Sequence, residues 1–308
     1  MKVSIVIPVY NSEKIQKELY TRLVNVLSKY NTNYEIIFIN DGSQDNSIEN
    51  LKQLCLNDKD VKLIDFSRNF GHQSAIMAGF NKASGDIIAV IDDDLQDPPE
   101  ILSTFIDKLN EGYDVVYGIR KKRKENFLKR SFFYIFYRVL RLLSSHDIPF
   151  DTGDFCVMNR KVLENLNRFP ETNKFIRGIR SWIGFRQIGI EYERDARYEG
   201  SSQYTFKKYF KFALDAMLSF SYLPLRISTL FGFLVAGFSF FYGLYIIVQK
   251  LLGQIGDVPG FTTLIVSTAF IGGVLLICLG IIGEYIARIY DEIKRRPQYI
   301  IKDEKGFE

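Results

Sequence analysis

The chain has 308 residues, a formal net charge of +4 and two histidines. This length accommodates one α/β domain of about 200 residues with a further element beside it. The weak positive charge does not support a nucleic-acid-binding protein, and two histidines argue against a histidine-rich metal site. The three cysteines lack the spacing of a disulfide framework or a zinc site, which favours a reducing compartment.

The first 117 residues alternate between short runs rich in Val and Ile and stretches with helical apolar spacing. This alternation predicts βαβ units and a mostly parallel sheet, and the weak polar alternation within the strands predicts a sheet covered on both faces. The predicted strands are residues 3–9, 34–39, 61–66, 87–91 and 115–117. The predicted helices are residues 18–27, 46–54 and 74–83, and one that opens at residues 98–100.

Polar motifs follow the first four of these strands. They are PVYN at residues 8–11, NDGS at 40–43, Arg68 with Asn69, and DDD at 92–94. In a sheet of this kind, ligands bind beyond the carboxyl ends of the strands. The motifs are therefore expected to converge on one rim of the sheet.

The acidic motif at residues 92–94 is the strongest sign of chemistry. Adjacent carboxylates repel one another unless a cation lies among them. Hard oxygen ligands suit Mg²⁺ or Mn²⁺, with substrate phosphate oxygens filling the open positions. The sequence therefore predicts a divalent cation held by Asp92 and Asp94, with Gln96 as a further ligand. The alternative is an ordinary solvated turn.

Other rim residues allow two interpretations each. Asp41 can accept hydrogen bonds from a nucleobase or ribose, or it can simply form the turn. Tyr10 can stack on a base, or it can belong to the core.

Two apolar runs near the C-terminus, residues 227–248 and 261–282, contain no charged residue. Each is long enough to cross a bilayer as a helix. Lys and Arg residues precede the first run and follow the second, so the positive-inside rule predicts cytoplasmic termini and a cytoplasmic polar domain. The protein is thus expected to be an integral protein of the cell (inner) membrane with two spans. The alternative is a pair of buried core helices.

Residues 127–143 and 206–222 combine aromatic and basic side chains. Such segments are typical of amphipathic helices in the headgroup layer of a membrane. The alternative for each is an ordinary core-packing helix.

Taken together, the motifs VSIVIPVYN, NDGS, SRNFGHQSAIMAGF and IDDDLQDPP resemble those of family-2 glycosyltransferases of the GT-A fold. Four later motifs resemble those of the membrane-anchored polyprenyl-phosphate glycosyltransferases, relatives of dolichyl-phosphate-mannose synthase. They are GIR at residues 118–120, DTGDF at 151–155, RYEG at 197–200 and GEYIARIYDEIKRRPQY from Gly283. Three positions depart from the family pattern: Ser12 stands where Glu is often found, Asn40 stands where Asp is usual, and Gln203 stands where many relatives have Lys.

The resemblance implies a fold and a domain order. The fold is α/β, a GT-A (Rossmann-like, mostly parallel) catalytic domain followed by an interfacial helix and two transmembrane helices. The implied boundaries are residues 1–205 for the cytoplasmic catalytic domain, 206–226 for the interfacial helix, and 227–308 for the spans (about 227–249 and 261–286) with a cytoplasmic tail. A homo-oligomer is plausible by the same resemblance.

The resemblance also implies inverting transfer of a sugar from a nucleotide-sugar to polyprenyl (undecaprenyl) phosphate. UDP-glucose is the expected donor, with GDP-mannose or a UDP-amino-sugar as alternatives. Mg²⁺ or Mn²⁺ would stabilise the departing diphosphate. The acceptor phosphate has a second pKa of about 6 and is largely anionic at neutral pH, so no general base is required.

Roles for individual residues follow from the family pattern. The implied catalytic residues are Asp94, Asp154 and Arg197. The implied nucleotide-sugar-binding residues are Pro8, Tyr10, Asp41, Arg68, Asp92 and Asp93. The candidates for binding the acceptor phosphate are Arg120, Lys129 and Arg130, because an anionic acceptor needs cations near the membrane plane. The alternative is that this basic cluster attracts anionic lipid headgroups.

Two other functions are less well supported. A processive polysaccharide synthase would carry a Gln-x-x-Arg-Trp signature and more spans than two. A non-catalytic adaptor that only binds nucleotide-sugar or lipid would have no need of the acidic motif.

Overall fold

The computed structural model describes residues 1–30, 33–120, 152–171, 174–194, 223–253 and 260–307. These residues form two compact units, which are the described residues up to 194 together with 295–307, and the described residues from 223 to 294. The predicted interfacial segments 127–143 and 206–222 lie outside the described residues, as do Lys129, Arg130 and Arg197.

The described part of the first unit is an α/β domain. Its strands are β1 (Lys2–Val9), β2 (Asn33–Asn40), β3 (Val61–Phe66), β4 (Ile87–Val90), β5 (Val115–Arg120), β6 (Thr152–Asn159), β7 (Gln187–Tyr192) and β8 (Ile301–Lys305). Its helices are α1 (Gln16–Ser28), α2 (Ser47–Asn57), α3 (His72–Lys82), α4 (Ile101–Asn110), α5 (Arg160–Asn167) and α6 (Ile176–Trp182).

The strands form an 8-stranded sheet in the order β7-β5-β6-β4-β1-β2-β3-β8. Strand β1 lies parallel to β2 and β4, β2 is parallel to β3, and β5 is parallel to β7. Strand β6 runs antiparallel to β4 and β5, and β8 runs antiparallel to β3. The predicted α/β fold with a mostly parallel sheet is confirmed, and the five predicted strands correspond to β1 to β5.

Helices cover both faces of the sheet, as the apolar strands predict. Successive residues of a strand point to opposite faces, so Ile5 lies in one core and Val6 in the other. The first core also takes Phe105 from α4 and apolar residues of α1 and α2. The second takes Phe80 from α3 and apolar residues of α5 and α6.

Strand β8 was not predicted. The sequence prediction grouped the last residues with the membrane spans as a tail, whereas the structure places residues 301–305 against β3 in the catalytic sheet. The first unit therefore contains both the beginning of the chain and its last described residues.

The second unit contains two long helices, α7 (Leu223–Leu251) and α8 (Phe261–Lys294). Within them, Ser228–Ile246 and Phe270–Lys294 are long and apolar enough to cross a membrane. None of either window is buried, and large apolar side chains such as Phe233 and Phe238 are each 74% exposed. This exposure argues against the alternative of two buried core helices.

Candidate active site

The acidic motif lies directly after β4, beside the end of β1. The backbone N–H of Tyr10 donates to Oδ2 of Asp93 at 3.2 Å, and the backbone N–H of Gln96 donates to Oδ1 of Asp94 at 3.0 Å. Leu95 has φ 54°, a left-handed conformation that costs a non-glycine residue about 1 kcal/mol. The loop is thus held in an unfavourable conformation that fixes the direction of its carboxylates.

Nearby positive charge compensates the carboxylates of this motif only in part. Burial is the main cause that raises the pKa of Asp92 to about 6 and that of Asp93 to about 7, and repulsion between the neighbouring carboxylates adds to it. Oδ1 of Asp92 is buried and makes no hydrogen bond to any described residue. An arrangement of this kind is stabilised by a bound cation.

His72 links the acidic motif to Asp154. Its Nε2 lies 3.4 Å from Oδ1 of Asp92 and 3.2 Å from Oδ2 of Asp154. Desolvation opposes the charged form, but the hydrogen bond to Asp154 and the charge of Asp92 raise the pKa of His72 to about 9. His72 is therefore positively charged at neutral pH and bridges two carboxylates.

Asp154 is surrounded by donors and cations. Its Oδ2 accepts a hydrogen bond from Nε2 of Gln73 at 3.1 Å, and its Oδ1 lies 3.1 Å from Nε of Arg177. Burial opposes ionisation, but the hydrogen bond from His72 and the charge of Arg177 hold the pKa of Asp154 below its ordinary value. Asp154 is thus ionised at neutral pH.

Asp97, another buried carboxylate, lies close to two arginines of the rim. Its side chain is fully buried, and it lies 3.4 Å from Arg120 and 3.1 Å from Arg194. It also accepts a hydrogen bond from the hydroxyl of Tyr192 at 2.5 Å. Arg194 lies 3.6 Å from Oδ2 of Asp94 as well. Arg120 was predicted to bind the acceptor phosphate; the structure pairs it with Asp97, and its role toward an acceptor stays a prediction.

Asp41 ties two loops of the rim together. Its buried carboxylate accepts the backbone N–H of Phe70 at 2.7 Å and that of Gly71 at 3.0 Å. Gly42, at φ +68°, fits against the backbone of Arg68, where a Cβ atom would lie 2.5 Å from the carbonyl carbon. These contacts support the interpretation that Asp41 stabilises the loop structure. Its contact with a nucleobase or ribose stays a prediction.

Arg68 extends from the loop that Asp41 holds. It is exposed, and its guanidinium carbon lies 4.1 Å from the centre of the Phe70 ring. Pro8, by contrast, is a buried residue inside β1. Of the predicted donor-binding residues, the exposed ones are thus Arg68 and Tyr10, which is 48% exposed.

The structure brings together the ends of β1 and β4 and adds residues that the sequence did not single out. These are His72, Asp97, Arg177 and Arg194. His72 is one of two histidines and lies in a family-like segment, so the sequence held a signal for it. Arg177 and Arg194 lie in and directly after elements, α6 and β7, that were not predicted, and no local pattern marked them.

The residues present fit a divalent cation of the predicted kind. Among the described residues, no three His, Cys, Asp or Glu side chains already surround a common point where an ion would lie. Two carboxylates are nevertheless enough for Mg²⁺, which usually keeps waters and takes substrate phosphate oxygens as its other ligands. Oδ1 of Asp92, which makes no hydrogen bond among the described residues, is a suitable oxygen ligand, and Asp94 supplies another.

Comparison with family models decides the classification. Residues 4–166 match the model of glycosyl transferase family 2, which is more than half of the chain. The chain belongs to glycosyl transferase family 2. A second match, to the GtrB C-terminal hairpin at residues 223–289, covers α7 and most of α8 of this glycosyltransferase.

Relatives align with this family-2 glycosyltransferase from end to end. The uncharacterized glycosyltransferase YkcC of Bacillus subtilis is 47% identical over 309 residues, which covers 100% of this chain and 95% of the relative. The bactoprenol glucosyl transferase of Shigella phage SfV is 42% identical over 308 residues, covering 99% of each chain.

Solved structures confirm the GT-A fold. The mannosyltransferase PcManGT of Pyrobaculum calidifontis, solved with GDP-Man and Mn²⁺, has a TM-score of 0.52 at 14% identity and covers 94% of this chain and 87% of its own. Glucosyl-3-phosphoglycerate synthase of Mycobacterium tuberculosis, solved with Mn²⁺, UDP-glucose and phosphoglyceric acid, has a TM-score of 0.51 at 15% identity, covering 71% and 79%.

Proposed function

We propose that this glycosyltransferase transfers glucose from UDP-glucose to a polyprenyl phosphate, with inversion at the anomeric carbon. The observation that carries the proposal is the end-to-end identity of 42% to a bactoprenol glucosyl transferase, together with the matching C-terminal hairpin. Bactoprenol is a polyprenyl lipid, so both the sugar and the acceptor class come from this relative.

The second unit supports a lipid acceptor. Its two apolar helices are long enough to anchor the enzyme in a bilayer, where a polyprenyl chain is dissolved. The excess of Lys and Arg outside the helices, compared with the loop between them, favours a catalytic domain on the cytoplasmic face. That face is where nucleotide-sugars are available.

The rim supports a donor that carries a diphosphate. Asp92 and Asp94 would hold Mg²⁺ or Mn²⁺, with Gln96 as a further candidate ligand. When bound, the ion would supply positive charge to the departing nucleoside diphosphate. Burial raises the pKa of Asp92 even though the charge of His72 opposes the rise, and a bound cation would favour the ionised carboxylate.

Cationic side chains near the acidic motif complete the charge balance. Arg194 lies 3.6 Å from Oδ2 of Asp94, close enough to approach a ligand bound there. A guanidinium forms charge-assisted hydrogen bonds to phosphate oxygens that strengthen as negative charge develops. Arg197, implied by the resemblance for this task, is three residues further along the chain.

The state of Asp154 argues for direct attack by the acceptor. A carboxylate whose pKa lies below its ordinary value is a weak proton acceptor at neutral pH. The acceptor phosphate is already anionic, so it needs orientation rather than deprotonation. Asp154 would then serve by holding His72 and Arg177 in place, and rate would come from the in-line arrangement of the two substrates.

The proposal is tested by a transfer assay on the full chain. Purified protein in vesicles containing undecaprenyl phosphate is incubated with Mn²⁺ and one donor at a time. The donors are UDP-glucose, GDP-mannose and a UDP-amino-sugar. The lipid product is then identified by mass. We expect one hexose per lipid from UDP-glucose and loss of product with EDTA.

Each other outcome contradicts a named part of the proposal. Product from GDP-mannose or the amino-sugar alone would overturn the donor. Lipid carrying several sugars would indicate a processive synthase. Donor binding by calorimetry without any lipid product would indicate the non-catalytic adaptor.

A further inference from the structure

The chain returns to the catalytic sheet after the second apolar helix. Helix α8 ends at Lys294, and residues 298–307 follow β3 in the antiparallel direction. The backbone N–H of Ser67, directly after β3, donates to the carbonyl of Ile300 at 3.0 Å. This C-terminal segment therefore lies beside the strand whose end leads into the rim loop of residues 67–71.

An aromatic contact joins this segment to the rim loop. The ring of Tyr299 stacks on that of Phe66, with 5.0 Å between centroids and 11° between planes. Phe66 in turn meets Phe70 edge-on at 5.7 Å and 90°. The hydroxyl of Tyr299 accepts a hydrogen bond from Nδ2 of Asn81 at 2.9 Å, which ties the ring to α3 as well.

Phe70 is the residue through which this contact reaches the site. Its backbone N–H donates to Asp41 at 2.7 Å, and its ring lies beneath the guanidinium of Arg68. Two residues later the chain reaches His72, which contacts Asp92 and Asp154. A displacement of Phe70 would therefore shift Arg68 and the start of α3 together.

We propose that Tyr299 is a positioning residue that holds the rim loop of residues 67–71 in its substrate-binding conformation through Phe66 and Phe70. The inference rests on the proposed function, because Arg68 is a predicted donor-binding residue. It assigns a role in donor binding to a residue that lies outside the part of the chain matched to the catalytic family model, residues 4–166.

The same segment offers a matched control at its other end. Phe307 lies under the side chains of Lys62 and Lys82, with Nζ atoms 5.0 Å and 5.3 Å from its ring centroid. Since β8 is antiparallel to β3, this contact lies near the start of β3, at the opposite end of the strand from the rim. Loss of either aromatic ring weakens the attachment of the segment, but only Tyr299 reaches the rim loop.

The test compares Tyr299→Ala, Tyr299→Phe and Phe307→Ala in the full-length protein. We expect Tyr299→Ala to raise the KM for nucleotide-sugar about threefold to tenfold, with the KM for polyprenyl phosphate unchanged. Hydrogen exchange of the peptide covering residues 67–72, measured by mass spectrometry, should become faster by a similar factor. Tyr299→Phe keeps the stacked ring and should restore both values, and Phe307→Ala should change neither.

The two readouts separate the inference from the proposed function. If no donor yields lipid product, the proposed function fails, while the exchange measurement still decides on Tyr299. Unchanged exchange in Tyr299→Ala would overturn the inference, as would equal changes in Phe307→Ala. A variant that does not fold is identified by its thermal unfolding curve, and Tyr299→Leu, which keeps apolar volume without a stacked ring, then replaces Tyr299→Ala.

Discussion

Carboxylates with different partners lie at opposite ends of the strands of the same sheet: Glu35 is buried, and Asp92 and Asp93 are half-buried. Glu35, near the start of β2, has a pKa lowered to about 2, whereas Asp92 and Asp93, after the end of β4, have pKa values raised to about 6 and about 7. Burial acts in the same direction on all of them, because it disfavours the charged form. The difference therefore comes from the partners that each end of the strands provides.

At the start of β2, the carboxylate of Glu35 is surrounded by cations and hydrogen-bond donors. Burial would raise its pKa, but Glu35 lies 2.8 Å from Nζ of Lys62 and 2.9 Å from Nζ of Lys2. It also accepts hydrogen bonds from the hydroxyl of Ser4 at 2.5 Å and from the backbone N–H of Ser84 at 2.6 Å. This group stabilises the folded protein by itself.

After the end of β4, the carboxylates of the acidic motif have fewer hydrogen-bond donors and cations around them. Oδ1 of Asp92 makes no hydrogen bond among the described residues, and the neighbouring His72 is shared between Asp92 and Asp154. Carboxylates with raised pKa values destabilise the fold when they are ionised. One end of the strands thus stabilises the fold, and the other carries the carboxylates that would hold a cation under the proposed function.

The largest effect is expected from Asp94→Asn. Removing one carboxylate of the predicted cation site should lower kcat about a thousandfold, because charge stabilisation of the leaving group by a metal contributes several kcal/mol. The thermal unfolding midpoint should not fall. Transfer rates and unfolding curves measured on the same preparation check both statements.

The control for Asp94→Asn is Glu49→Gln, which neutralises an exposed carboxylate on α2. It should leave both activity and stability at the wild-type level. Equal losses of activity in the two variants would show that the acidic motif has no special role.

The next largest effect is expected from Glu35→Gln. Breaking a buried, hydrogen-bonded ion pair costs about 3 kcal/mol, which corresponds to a fall of about 6–12 °C in the midpoint of a domain of this size. The activity of the protein that remains folded should be unchanged. A loss of activity larger than the loss of folded protein would mean that this end of the strands also serves catalysis.

The sequence analysis identified the carboxylates at one end of the strands but not those at the other. The acidic motif was found because its carboxylates are contiguous and follow an apolar strand. Glu35 drew no attention, because a single charge in an apolar strand has meaning only once Lys2 and Lys62 are brought beside it by the parallel pairing of β1, β2 and β3. The link from His72 to Asp154 spans 82 residues and depends on topology in the same way.

The fold shows the same division. Strands β1 to β4 are buried apolar runs, which local patterns identify well. Strand β8 has the sequence IKDEK, which has no strand pattern and forms an edge strand only because β3 is available to pair with it. Its charges are typical of an edge that must not pair with other chains.

The pH dependence of stability should distinguish Glu35 from the carboxylates of the acidic motif. The folded-state pKa of Glu35 lies below its unfolded value of 4.5, so its contribution is fully present above about pH 5 and is lost as the pH falls toward 2. The difference in stability between wild type and Glu35→Gln should therefore shrink across this range. Unfolding midpoints between pH 7 and pH 3 check this, and a constant difference would contradict the assigned ion pairs.

The smallest effect is expected from Asp93→Asn in EDTA. Because burial raises the folded-state pKa of Asp93 to about 7 from 3.8, the ionised carboxylate destabilises the fold above pH 7, and this cost disappears as the pH falls toward 4. The Asn variant should thus unfold at a higher temperature than wild type at pH 8 and lose most of that advantage by pH 5. Mn²⁺ with nucleoside diphosphate should raise the wild-type midpoint at pH 8 by binding the folded state, and so narrow the gap to Asp93→Asn. A wild type more stable than the variant at pH 8 in EDTA would show that the charge of Asp93 is already compensated without a ligand, and that the two ends of the strands do not differ as described.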